Sequence, residues 1–341
     1  MKAWVDYMKV HAGDNYIFDY GFHFGDWLSF SDYMSYNYNA PDYGYAGAHT
    51  DKALIATAYF YHSTTLLQKA ANITGHQKDA NDLSKLAAKI KNAWNREFMT
   101  TSGRLVSGTQ TAYAIGLAFD LIPDGKKALA AKRLADNVKY FGHLTTGFLG
   151  TPLLNHALSN FGYSDLAYQL LLNKRYPSWL YPVIKGATTI WERWDGIKTD
   201  GSFQTKDMNS FNHYAYGAIG EWLYSFVAGI SIDENKPGYQ HILTRPHPGG
   251  GLTSAGVRIH SMFGEVKSLW KIFENQFNLI VYVPPNTSAT VILPCAKLED
   301  IRESSKSLKN VPGIRNYYQE DNVAVVELGS GQYRFDIAYY Q

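Results

Sequence analysis

Residues 51–98 read DKALIATAYFYHSTTLLQKAANITGHQKDANDLSKLAAKIKNAWNREF, and their periodicity sets the fold class. Across 51–73, Leu54, Ile55, Ala58, Tyr59, Leu66, Leu67, Ala70 and Ile73 recur at the i, i+3, i+4 spacing of an amphipathic helix. Leu83, Leu86, Ala87, Ile90, Trp94 and Phe98 repeat the rule over 79–98. Gly75 and Gly103 follow the two patterns, where helix C-caps prefer glycine. Two helices joined by a short glycine turn predict a helical hairpin. Outward from it, weaker helical patterns run through 109–121, 126–140, 150–161, 164–173 and 212–228, broken at Pro123, Gly142, Gly147, Gly162 and Pro177. Paired helices without intervening strands predict a toroid or bundle. Upstream, Met1–Met8 reads as the end of a helix, with no apolar core after Lys2 of the kind a signal peptide carries. Asp14–Tyr45 reads as a loop rich in glycine and tyrosine. A loop this long is uncommon in a compact domain unless functional, so it is expected to line a site, with an N-terminal arm as the alternative.

The pattern changes after Gly229. Residues 237–252 hold three prolines and the Gly249-Gly250-Gly251 run. Short alternating or β-branched runs follow at Ala255–Ile259, Glu265–Phe273, Phe277–Val283, Ala289–Leu293, Val323–Leu328 and Tyr333–Tyr339. This spacing predicts an antiparallel β-sandwich. The boundary falls in 235–250, giving a helical domain over 1–235 and a β domain over 236–341. His241 and His247 flank the linker and are expected at the surface.

Composition excludes several functions. The 341 residues carry a net charge of +2 without a Lys/Arg block, which argues against nucleic acid or an anionic membrane as partner. No apolar run approaches the roughly 18 residues of a membrane helix. The lone Cys295 excludes an internal disulfide framework and a cysteine-rich zinc site. Nucleotide-binding, nucleophile-elbow and H-E-x-x-H motifs are absent, so neither cofactor nor metal is expected. The positive signal is 26 Tyr, 17 Phe and 8 Trp, which either fill a core or line a cleft that stacks on flat ligands.

Three carboxylate segments embedded in aromatics stand out. In GATTIWERWD, residues 186–195, Glu192 lies between Trp191 and Trp194, beside Arg193 and Asp195. The indoles could stack on a sugar ring; alternatively, Arg193 pairs with Glu192 and the tryptophans are core. In NSFNHYAY, residues 209–216, His213 is either a ligand contact or a satisfied histidine at a helix start; Glu221, further on, reads as a surface carboxylate. In HFGDWL, residues 23–28, Asp26 could bond vicinal hydroxyls while Trp27 covers a ring, or Asp26 could cap a helical turn. Such segments without a cofactor motif favour a neutral polyhydroxylated ligand, and sugar hydrolysis needs two carboxylates across the scissile bond.

HFGDWL, LIATAYFYHSTTLL, HLTTGFLGTPLL, SWLYPVIKGATTIWERWDG and SFNHYAYGAIGEWLY, in this order, resemble the bacterial α-L-rhamnosidases of glycoside hydrolase family 78. The resemblance spans roughly residues 1–250, and the strand-rich tail is similar in place and size to that family's C-terminal sandwich. It implies an (α/α)6 barrel, here N-terminally incomplete, followed by an antiparallel β-sandwich, and hydrolysis of terminal α-L-rhamnose from a rhamnose-containing glycoside or polysaccharide with inversion. It assigns the general base to Glu192, a sugar contact to His213, and the rhamnose pocket to Asp26 and Trp27, with Trp191 and Trp194 as pocket walls. The family's general acid is a glutamate in an Asp-Cys-Pro-Gln-Arg-Glu-like motif, expected before the helix ending at Met8. No such motif occurs here, so the resemblance implies a chain that supplies the base without the acid. A non-catalytic carbohydrate-binding protein of the same fold is the alternative. A homo-oligomer is compatible with the sequence, and the compartment is left open.

Overall fold

The computed structural model describes residues 1–29, 50–294 and 297–339. The described chain divides into two compact units, Met1–Ala218 and Ile219–Gln341. Much of the expected aromatic loop, together with Cys295, lies outside the described residues.

The first unit is helical. α1 (Lys2–Ala12) runs past Met8. α2 (Lys52–Ile73) and α3 (Gln77–Phe98) form the expected hairpin. Asp51 caps α2 by accepting the Leu54 N–H at 2.8 Å, satisfying one of the donors a helix start leaves open. Gly75 takes φ +78 in the connecting turn. Gly103 instead belongs to a tight turn between Met99 and Leu105, where the Gly103 N–H reaches the Thr100 carbonyl at 2.9 Å. Val5 and Met8 of α1, Phe60 of α2 and Leu83 and Ile90 of α3 make one buried cluster. Trp94, fully buried, donates its indole N–H to the Leu54 carbonyl at 3.0 Å and so fastens α3 to the start of α2.

α4 (Gln110–Ala118), α5 (Asp124–Phe141), α6 (Thr151–Ser159) and α7 (Ser164–Leu172) continue the pairing. The short helix α8 (Leu180–Ile184) has no counterpart in the sequence patterns. Gly142 ends α5 in the left-handed region, φ +70. The expected helix over 212–228 is three turns of different pitch: a 3-10 turn Ala215–Ala218, α9 (Ile219–Trp222), and a π turn Leu223–Val227.

The second unit carries two sheets. One has the order β1-β2-β6-β10-β9, from β1 (Ile230–Ile232), β2 (His241–Thr244), β6 (Ser288–Leu293), β10 (Val323–Leu328) and β9 (Ile314–Glu320). The other has the order β3-β4-β5-β11-β7-β8, from β3 (Ser254–Ser261), β4 (Gly264–Phe273), β5 (Gln276–Val283), β11 (Gly331–Ala338), β7 (Arg302–Glu303) and β8 (Lys306–Ser307). Phe277, Leu279, Val281 and Val283 alternate inward from β5, and Ala289, Val291 and Leu293 from β6, which builds the sandwich core. The sandwich is not wholly antiparallel: β2 runs parallel to β6, with His241 opposite Ser288. β2 lies inside the stretch read as a linker, so His241 is buried rather than at the surface. His247 is half-buried, stacked on Phe226 at 4.0 Å.

Candidate functional site

Two loops and a short paired segment of the helical unit bring the sequence-selected residues together. The first loop turns at Gly25–Ser29, where Gly25 and Leu28 take positive φ. The second, His143–Gly150, leads into α6. Gln110, fully buried at the start of α4, holds its near end by accepting the Thr145 N–H at 2.8 Å and donating to the His143 carbonyl at 3.1 Å.

Asp26 locks these loops together. It is 0% exposed. Its Oδ2 accepts the Gly147 N–H at 2.8 Å and the Thr111 hydroxyl; its Oδ1 accepts the N–H groups of Leu149 at 2.8 Å and Gly150 at 3.0 Å. The carboxylate thus stands at the N-terminal end of α6, where the helix dipole favours negative charge. Burial pushes its pKa up, against the four hydrogen bonds, which pull it down. The half-buried Tyr59 hydroxyl is pushed up to about 12 by desolvation and by the Asp26 charge. The sequence left Asp26 open between bonding sugar hydroxyls and capping a helical turn; its four hydrogen bonds here come from protein donors.

Trp27 is half-buried, with its ring edge-to-face with Phe24 at 4.7 Å and its carbonyl accepting the Phe148 N–H at 2.9 Å. Phe148, carried between Gly147 and Gly150, packs at 5.0 Å on His213 and edge-on at 5.1 Å on Tyr216. The Tyr216 hydroxyl returns to the Leu28 carbonyl at 3.3 Å. Tyr216 also stacks on Trp194 at 3.9 Å, and Trp194 meets Trp179 edge-on at 5.5 Å. A continuous aromatic column therefore joins the Asp26 loops to the segment that bears Glu192.

That segment pairs with residues 210–213. The Glu192 N–H donates to the Ser210 carbonyl at 2.8 Å, the Ser210 N–H donates to Glu192 Oε2 at 2.9 Å, and the His213 N–H donates to the Ile190 carbonyl at 2.8 Å. Glu192 is half-buried, so its carboxylate is held at one oxygen and keeps access to solvent. Arg193 pairs with Asp195 (Nε to Oδ1, 3.3 Å) and not with Glu192; Gln204 holds the other Asp195 oxygen at 2.6 Å. Trp191 and Trp194 are each 5% exposed, with Trp191 edge-on to Phe211 at 5.0 Å. Their buried rings pack beside the Glu192 segment; the sequence left them open between pocket walls and core. His213, half-buried, accepts the Ala215 N–H at Nδ1 at 3.3 Å. Phe148 and Tyr216 were not singled out from the sequence; the glycines flanking Phe148, followed by Pro152 at a helix start, were the available signal.

Tyr20, Phe22 and His23 of the first loop line a cavity of about 760 Å3 with Trp4, Tyr59 and Leu149. No group of three or more metal-ligating side chains occurs among the described residues, and no described helix is long and apolar enough to cross a membrane.

Residues 1–227 match the bacterial alpha-L-rhamnosidase 6 hairpin glycosidase domain, and residues 229–308 the bacterial alpha-L-rhamnosidase C-terminal domain. An alpha-L-rhamnosidase of Streptomyces avermitilis is 39% identical over 99% of this chain and 30% of its own length. One of Formosa agariphila is 36% identical over 99% of this chain and 35% of its own. The crystal structure of the S. avermitilis alpha-L-rhamnosidase complexed with L-rhamnose superposes with a TM-score of 0.86 over 98% of this chain and 30% of that one. The Aspergillus terreus enzyme, 32% identical, gives 0.85 over 100% of this chain and 36% of that one. The chain thus spans about a third of the length of the relatives it matches.

Proposed function

Because the chain belongs to the bacterial α-L-rhamnosidase family, with a six-hairpin glycosidase domain followed by the family's C-terminal domain, we propose that it takes part in hydrolysing terminal α-L-rhamnose with inversion. In this reading Glu192 is the general base. An inverting site holds base and acid about 6.5–9.5 Å apart with a water between them. The observation that carries the assignment is the Glu192–Ser210 clamp: one carboxylate oxygen is fixed by a backbone N–H, and the side chain keeps solvent access for a water.

Trp27 and His213 contact the rhamnose ring. Asp26 acts one layer behind, holding the loop that carries Phe148 in place. Trp191 and Trp194 hold the Glu192 segment. The general acid comes from outside these 341 residues, since no glutamate here stands in the family's acid motif. The resemblance of the S. avermitilis enzyme, solved with L-rhamnose, supports the choice of sugar.

Two preparations test the proposal: the chain alone, and the S. avermitilis enzyme with this chain replacing its matched segment, both assayed on an aryl α-L-rhamnoside. General acid catalysis contributes about 10²–10⁴-fold, so the chain alone should show negligible turnover. The chimera should release rhamnose of inverted configuration, read by NMR, and lose it on Glu192→Gln. Ordinary turnover by the chain alone, abolished by Glu192→Gln, would overturn the missing acid. A folded but inactive chimera would overturn the rhamnosidase reading.

A further inference from the structure

The second unit holds a concave site of its own. A pocket of about 470 Å3 opens on the sheet that contains β2, β6 and β9. Two of the residues lining it are cations, Lys236 and Arg315, and none is a carboxylate. The others are short hydrogen-bonding side chains, among them Gln240, Asn286, Ser288 and Ser330. The chain's net charge is only +2, so two cations facing one hollow are a local concentration of positive charge.

The polar lining is built, not incidental. Thr287, buried at its floor, donates to the Pro284 carbonyl at 2.7 Å and fixes the turn that presents Asn286. The register of three strands orients Ser288. The Thr290 hydroxyl donates to the Glu327 carboxylate at 2.9 Å, because a carboxylate can only accept. Thr290 therefore accepts from His241 Nε2 at 2.9 Å, and in the neutral ring Nδ1 is then the acceptor of the Ser288 hydroxyl at 2.6 Å. With its proton directed to His241, the Ser288 oxygen offers only lone pairs to the pocket. It is thus a fixed acceptor, matched to a donor such as a sugar hydroxyl.

From this lining we propose that the pocket binds an acidic sugar residue, one carrying a carboxylate or a sulfate ester. Arg315 and Lys236 take the oxyanion: guanidinium presents a planar fork to two oxygens, and ammonium adds a point charge. Ser288, Asn286 and Gln240 take the ring hydroxyls. The site is independent of Glu192 and requires no covalent step. It gives the chain a place to hold an acidic glycan, in addition to the neutral sugar of the proposed rhamnose site.

Titrating the 341-residue chain with glucuronate, glucose 6-sulfate, glucose and inorganic sulfate, followed by NMR, tests this. At least one of the two acidic sugars should bind at least about tenfold more tightly than glucose or sulfate alone, and high salt should weaken it. The better of the two identifies the oxyanion. Arg315→Ala, an exposed substitution, should cost about tenfold, and Ser288→Ala should weaken the sugar but not sulfate. Glu192→Gln should change nothing, so failure here is separable from failure of the rhamnosidase reading. Equal binding of glucose, equal binding of sulfate alone, no binding at millimolar sugar, or indifference to Arg315→Ala would each overturn the proposal.

Discussion

Asp26 and Gly147 meet twice. The Asp26 carboxylate accepts the Gly147 N–H at 2.8 Å, and the Asp26 backbone carbonyl lies 2.7 Å from where a β-carbon on Gly147 would stand. The loops can close on each other only because residue 147 has no side chain and residue 26 has an anion. Asp26→Ala leaves the N–H groups of Gly147, Leu149 and Gly150 and the Thr111 hydroxyl without their acceptor. An orphaned buried donor costs about 1–3 kcal/mol, and relaxation will recover part, so a loss of about 3 kcal/mol is expected. Urea denaturation reads it; an unchanged midpoint would mean that the carboxylate does not hold the loops.

Gly147→Ala tests the same junction from the other side. Its β-carbon would stand 2.2 Å from the Trp27 carbonyl and 2.6 Å from the Ser29 nitrogen, both backbone atoms that cannot rotate away. The variant should unfold several degrees below the parent and lose the Phe148–His213 contact. Gly125 in α5 is the control: a β-carbon there meets nothing within 4 Å, so Gly125→Ala should stabilise by up to about 1 kcal/mol. Equal melting temperatures for the two variants would count against the steric account.

Sequence periodicity was a good guide where partners are near in the chain. The α2–α3 hairpin could be read directly because its apolar stripe repeats locally. β2 could not: its four residues sit among prolines and glycines, and it is a strand because Ile230–Ile232 lies along one side of it and Ser288–Val291 along the other. Asp26 illustrates the same limit at the site. HFGDWL stands out in the sequence, but the donors that surround Asp26 are 85 to 124 residues away, so the sequence alone cannot choose between a sugar contact and a capping carboxylate. Likewise Glu192 stood out for its tryptophan neighbours, whereas its clamp comes from Ser210, 18 positions on.

Acid should weaken the second unit through His247. Burial and the Arg245 charge push its pKa down from 6.5 to about 4, against hydrogen bonds to the Phe226 and Arg245 backbone that pull it up. The unfolded chain therefore binds this proton more readily than the folded one between those values. The stabilisation is fully present above pH 6.5 and is lost as pH falls toward 4; the interval corresponds to about 3 kcal/mol at most. Thermal unfolding across this range should show the loss, and His247→Phe, which keeps the stack on Phe226, should flatten it. A slope unaffected by that substitution would place the acid sensitivity elsewhere.

Neighbouring residues 192 and 193 should separate chemistry from support. Glu192→Gln keeps an oxygen to accept the Ser210 N–H, so the fold should be unchanged, while an assembled enzyme loses its base and about 10²–10⁴-fold in kcat. Arg193→Ala instead strips the partner from Asp195 in a buried setting, where breaking one side of an ion pair costs about 3–5 kcal/mol, and the partial exposure of Asp195 puts the expectation at the lower end. Arg193→Lys should rescue this poorly, because the bond to Asp195 comes from the guanidinium Nε, which lysine lacks. The comparison is kcat against melting temperature for the three variants. A fall in melting temperature for Glu192→Gln equal to that for Arg193→Ala would make Glu192 a structural residue, and the base would have to be sought elsewhere.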